Sequence, residues 1–203
     1  MQEMGHESAT PAAVTRGSLL RRVATGVAAV SAGGAAAAGF ASASGRPRLT
    51  GRDRQVLEFA LTLERLQTEF YAQALAAGKL TGETRQFAQI VGREERAHLS
   101  YVERALGTGP QKPATYDFAR YLTGNDAFIG GAMTLEQIGL AAYNGQAGNV
   151  SPPILAGAAR MISVEARHVA WARGLAGQEP APDATDTPLS AEAATQAIQP
   201  FLA

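Results

Sequence analysis

The chain has 203 residues, which suggests one domain with appendages. Its 18 basic and 18 acidic side chains cancel, so no net field favours nucleic acid or an anionic membrane as a partner. Cysteine is absent, which excludes disulfides, thiolate metal sites and cysteine nucleophiles.

Residues 1 to 43 read as a cleavable export signal. A polar stretch ends at Arg21 and Arg22, a weakly hydrophobic Ala/Gly-rich run follows to Phe40, and Ala41-Ser42-Ala43 is a small-x-small cleavage site. The adjacent arginines and modest hydrophobicity resemble a twin-arginine signal more than a general secretory one. Val23 and Ala24, however, stand where a bulky residue usually follows the pair. Glycine and alanine dilute the run too much for a membrane span. The expected location is therefore periplasmic, cell-envelope or extracellular, with no transmembrane segment in the mature protein.

Four amphipathic helices follow. The first is predicted over 52–77, with Thr50 or Asp53 as its cap and Gly78 as its stop. Its stripe of Leu57, Ala60, Leu61, Glu64, Thr68, Tyr71 and Leu75 has the helical period, with a glutamate at its centre. The second, over 82–106, lies between Thr81 and Gly107 and carries Phe87, Val91, Glu95, His98 and Val102. The third, over 126–145, carries Ile129, Met133, Glu136, Leu140 and Tyr143. The fourth opens at Ser151-Pro152, a cap followed by a residue suited to the first turn, and carries Met161, Glu165, His168 and Ala172 to about Gly174. No alternation long enough for a sheet appears, so the fold class is all-α.

Loop lengths set the expected topology. The segments near 78–81 and 146–151 are short and join antiparallel neighbours. Residues 107–125 are long and Pro/Gly-marked, and at ~3.3 Å per extended residue they can cross the length of a bundle. Residues 50–175 are thus expected to form a four-helix bundle of two hairpins joined by a crossover. Residues 176–203 are expected to form a Pro-rich linker and a short C-terminal helix, near 191–199, that covers one bundle end.

The two halves resemble each other. "TLERLQTEFY" (62–71) matches "TLEQIGLAAY" (134–143) at Thr, Leu, Glu and Tyr, and "EERAHLSY" (94–101) matches "VEARHVAW" (164–171) at Glu, His and an aromatic. Each half therefore places a lone glutamate on one stripe and Glu-x-x-His on the next. Buried unpaired carboxylates cost several kcal/mol each, so four facing one core need a common reason. Two divalent cations supply it. A Glu from each of two helices and Glu-x-x-His from each of two others is the ligand pattern of di-iron and di-manganese carboxylate bundles. Glu64, Glu95, His98, Glu136, Glu165 and His168 are accordingly expected to bind two metal ions ~3.5–4 Å apart. Iron or manganese suits this oxygen-rich set best, and zinc can occupy it in vitro.

Glu94 also lies within helical reach of His98, but Val164 holds its position in the other half. It therefore reads as a supporting or surface charge whose removal changes metal content little. Tyr71 and Tyr143, seven residues beyond Glu64 and Glu136, either pack in the core or hydrogen-bond to the ligands, with packing the first reading. Tyr101 and Trp171 read as packing.

On these residues, 50 to 200 resemble the ferritin-like superfamily, especially a secreted bacterial branch related to plant desiccation-related proteins. The resemblance implies a ferritin-like four-helix bundle in which all six residues are metal ligands, with Glu95 and Glu165 as candidates to bridge both ions. It does not choose the reaction, since the superfamily spans iron-oxidising storage proteins, manganese catalases and oxygen-activating enzymes. The expected function is that of an exported di-metal protein, redox-active in oxidative or desiccation stress through peroxide consumption or Fe(II) oxidation. Metal ions, and O2 or peroxide, are its expected partners. The alternative is a non-catalytic, metal-stabilised bundle with a protective, metal-binding or storage role. Whether the protein is an enzyme, and its oligomeric state, stay open at this point.

Overall fold

Helix α1 (Gly51–Ala76) opens on a capping box in the computed structural model, which describes residues 48–109 and 115–203. The Thr50 hydroxyl accepts the Asp53 N–H at 3.0 Å, and the Asp53 carboxylate accepts the Thr50 N–H at 2.9 Å. Thr50 and Asp53 thus both serve the start, as cap and as third helical residue. The other oxygen of Asp53 accepts the backbone N–H of Ser151 at 2.7 Å, where α4 (Pro152–Leu175) begins. That bond, with those from Thr50, outweighs burial and holds the Asp53 acid at about 2. It ties the N-termini of α1 and α4 together, and the Ser151 side chain makes no cap bond of its own.

Helix α2 (Gly82–Leu106) stops where Gly107 turns into the left-handed region at φ 75°, giving its N–H back to the last turn. Helix α3 (Asn125–Gln146) and α4 complete the bundle. Contacts between α1 and α3 pair Tyr71 with Glu136 and Glu64 with Tyr143, so these helices run antiparallel. Tyr101 beside Gly157 and Phe87 beside Trp171 show the same for α2 and α4. Since α2 and α3 both oppose α1, they are parallel to one another, and the chain between them must cross the bundle. The order is two hairpins joined by a crossover, an all-α bundle with no strand among the described residues.

The hydrophobic interior falls into two clusters. One contains Phe70, Tyr71, Phe87, Phe118, Phe128 and Phe201, all essentially inaccessible to solvent. Phe70 stacks on Phe128 at 5.3 Å and meets Phe118 edge-on at 5.2 Å, a geometry that adds about 0.5–1.5 kcal/mol per pair to simple burial. The other gathers Leu57, Leu61, Val102, Leu106, Ile154 and Met161. The apolar arc of α1 is wider than the expected stripe: Leu63, Leu66 and Phe70 are buried too, because α1 packs on α2 and α3 at once.

The C-terminal segment differs from expectation in placement. Helix α5 (Ala191–Ala197) is capped by the Ser190 hydroxyl, and a 3-10 turn, Gln199–Phe201, follows. Leu189 bonds to the carbonyl of Ala141, and Phe201 stacks on Tyr121 at 4.7 Å near the start of α3. The segment therefore runs back along α3 instead of across a bundle end. Its approach is close enough that a Cβ at Gly145 would lie 1.9 Å from the Leu189 carbonyl oxygen, so only glycine fits there. The export-signal reading of residues 1–43 lies outside the described residues. Among those described, no helix is long and apolar enough to cross a membrane.

Candidate metal centre

Between the two apolar clusters lies a polar layer contributed by all four helices. Glu64, Glu95, Glu136 and Glu165 are fully inaccessible, His168 is 3% exposed and His98 is 8% exposed. Each sits on its helix's buried face, as the stripes predicted, and antiparallel packing brings all six to one depth. The two imidazole rings stand 6.1 Å apart.

The ligand atoms fall into two overlapping groups. Glu64, Glu95, His98 and Glu165 can each offer one atom, all within 4.8 Å of one another, and so can Glu95, Glu136, Glu165 and His168. Glu95 and Glu165 belong to both groups, while each remaining carboxylate and imidazole belongs to one. Both rings turn Nδ1 inward. His98 Nδ1 lies 2.8 Å from Glu165, and His168 Nδ1 lies 3.0 Å from Glu95 and 3.2 Å from Glu136.

These close approaches are not a completed hydrogen-bond network. Both oxygens of Glu95, both of Glu165, Oε2 of Glu64 and Nδ1 of His98 are buried without a hydrogen-bond partner. Orphaned acceptors at this density are expensive, and each calls for a partner that the neighbouring side chains do not supply. Four carboxylates and two neutral imidazoles would balance two divalent charges, so the donor set fits a pair of hard-to-intermediate cations. These buried Glu and His groups could hold metal ions.

The electrostatics without such cations are strained. Burial, reinforced by the charge of Glu95, pushes the Glu64 acid well above the ordinary carboxylate range. The same two causes raise Glu165 to about 8. Burial also works against an ionised Glu95, but the two imidazoles beside it prevail and hold it at about 2. Burial opposes charge on the rings as well. Glu165 and Glu95 nonetheless lift His98 to about 11, and Glu136 and Glu95 lift His168 to about 12.

The structure adds supporting contacts beyond the six expected ligands. Tyr71 donates to Glu136 at 2.7 Å, and Tyr143 donates to Glu64. Both tyrosines pack in the core, as expected, but each also holds the glutamate of the other hairpin. Burial and the adjacent carboxylate raise both phenols well above their usual value, so they stay protonated as donors. Gln67 adds a second donor to Glu136 at 3.3 Å. Its signal was present, since an amide three residues from Glu64 falls on the same buried face. Glu94 does not reach toward His98; it meets the outer nitrogen, Nε2, of His168 at 2.8 Å. Trp171 packs edge-on to Phe87, as expected of a core aromatic.

A bundle of two antiparallel hairpins with glutamates and histidines at its centre is a ferritin-like architecture. The chain belongs to the ferritin-like domain family, whose family model matches residues 52–178. A search of curated proteins finds no match.

Proposed function

We propose that Glu64, Glu95, His98, Glu136, Glu165 and His168 bind two transition-metal ions and that the protein is an exported, redox-active di-metal carboxylate protein. One observation carries this reading: two four-residue ligand groups overlap at Glu95 and Glu165, the arrangement in which two carboxylates serve two ions at once. When bound, iron supplies oxidation of Fe(II) by O2 or peroxide, and manganese supplies peroxide disproportionation. The chain's own part is to exclude water, gather the four carboxylates at one depth and keep two phenols donating to Glu64 and Glu136. A cavity of about 30 Å3, lined by Leu57, Ala60, Tyr101, Tyr143, Ile154 and Met161, reaches Tyr143 and gives a molecule of one or two heavy atoms a place to approach.

Full burial of all four carboxylates supports a second reading, in which the ions cross-link the bundle and the role in oxidative or desiccation stress is protective without turnover. Elemental analysis of protein recovered from its export route, followed by peroxide and Fe(II) oxidation assays, separates the readings. The proposal expects about two Fe or Mn per chain and turnover. Fewer than about one Fe, Mn or Zn per metal-replete chain would refute the site, and two ions without turnover would leave the protective role.

Export itself rests on Arg21 and Arg22 before the Ala/Gly-rich run. Replacing both by lysine is expected to retain the protein in the cytoplasm, as measured by fractionation. Unchanged export would show that the route is the general secretory one.

A further inference from the structure

The internal repeat makes the two halves of the centre comparable residue by residue, and they are not equal. In one half, each polar side-chain atom of Glu136 and His168 has a partner. Glu136 accepts from Tyr71 at 2.7 Å and from Gln67 at 3.3 Å, and its other oxygen faces His168. The His168 ring is held from both sides, with Nδ1 toward the carboxylates and Nε2 on Glu94 at 2.8 Å. In the half built on Glu64 and His98, Glu64 has Tyr143 alone, and its Oε2 and the Nδ1 of His98 are both orphaned. Among the described residues, no carboxylate lies on the outer nitrogen of His98.

The repeat explains the difference. Gln67 corresponds to Gly139 and Glu94 to Val164, so one half lacks both supports. Gly139 is itself part of the device, since a Cβ there would come within 3.2 Å of the Gln67 amide. The cavity described above also abuts the less supported half, through Tyr143 on Glu64 and Tyr101 one turn from His98.

We infer that Glu94 and Gln67 are positioning residues that make the Glu136–His168 position the tighter of two unequal metal positions, leaving the Glu64–His98 position as the exchangeable one beside the cavity. This rests on the reading that the cluster holds metal. Glu94 fixes the imidazole proton on Nε2, which presents the Nδ1 lone pair to the cluster and stops the ring from rotating. Gln67 fixes the rotamer of Glu136. Outer partners of this kind change metal affinity by about 10–100-fold. The expectation that removing Glu94 changes metal content little is accordingly replaced.

The test is titration of the purified, metal-stripped full chain with Mn(II), and with Co(II) as a spectroscopic probe. The unaltered protein is expected to take up two equivalents differing about tenfold or more in affinity, with His98→Ala retaining the tighter one and His168→Ala the weaker one. Glu94→Gln is expected to weaken binding ~10-fold or more in the His98→Ala background and to leave the His168→Ala background within about threefold. A merely structural role for Glu94 would move both alike. Val164→Glu is expected to tighten the second equivalent, a gain that misfolding does not imitate. Two equal equivalents in the unaltered protein, an equal effect of Glu94→Gln in both backgrounds, or no gain from Val164→Glu would overturn the inference while leaving the di-metal reading standing. Failure to bind either probe would overturn both.

Discussion

Glu95→Ala and Glu165→Ala are each expected to strip both metal ions from the protein, whereas Glu64→Ala and Glu136→Ala are each expected to cost one. Glu95 and Glu165 contribute to both ligand groups, and the other two carboxylates to one group apiece. Loss of a shared carboxylate removes a ligand from each position and leaves two divalent charges facing three carboxylates in a site that excludes water. Loss of an unshared one leaves the second group complete. Metal content per chain after equilibration with Mn(II) or Fe(II) and removal of excess reads the difference directly. Retention of two ions by Glu95→Ala would show that the groups do not share ligands.

Metal is also expected to stabilise the fold, and to do so more as pH rises. Glu165 titrates at about 8 in the folded chain and near 4.5 in the unfolded one, and Glu64 is shifted the same way. His98 and His168 are raised from 6.5 to about 11 and about 12. A raised group stabilises the fold fully below its unfolded value, and that stabilisation is lost as pH climbs through the folded value. For Glu165 the loss runs from about 4.5 to about 8, and for the histidines from about 6.5 upward. Glu95, lowered to about 2, acts oppositely, but only below about 4.5. Between pH 5 and 9 the metal-stripped fold therefore holds more protons than the unfolded chain, and each extra proton costs about 1.4 kcal/mol of stability per pH unit.

Metal binding requires the same groups to be deprotonated, so its affinity rises over the same range. At a free ion concentration of 100 times Kd, each bound ion contributes about 2.7 kcal/mol, or roughly 5–10 °C in Tm for a chain of this size. Thermal unfolding with and without Mn(II) at pH 5.5, 7 and 8.5 is expected to show Tm falling with pH in the stripped protein and the metal-induced gain widening. A stripped protein that grows more stable from pH 5.5 to 8.5 would contradict the buried carboxylate cluster.

Much of this was legible along the chain, for local reasons. Helix starts and stops depend on residues a few positions apart. Thr50 and Asp53 form a capping box within one turn, and Gly107 takes a left-handed φ that other residues resist. The six central residues were readable because helical periodicity places a residue on a buried or an exposed face without knowledge of the neighbour, and because the repeat marked the same pattern twice.

What the linear pattern could not decide was which helix meets which side chain. Tyr71 is two turns, about 10 Å, from Glu64 on its own helix, too far to bond to it. Antiparallel packing of α1 against α3 sets it on Glu136 instead, and sets Tyr143 on Glu64. Glu94 is spaced to reach His98 but bonds to His168, because α2 packs against α4 and brings that ring to it. The width of the apolar arc on α1 and the path of residues 189–201 along α3 have the same origin. Burial and partner choice depend on what packs alongside, and that information enters only when separate helices come together in space.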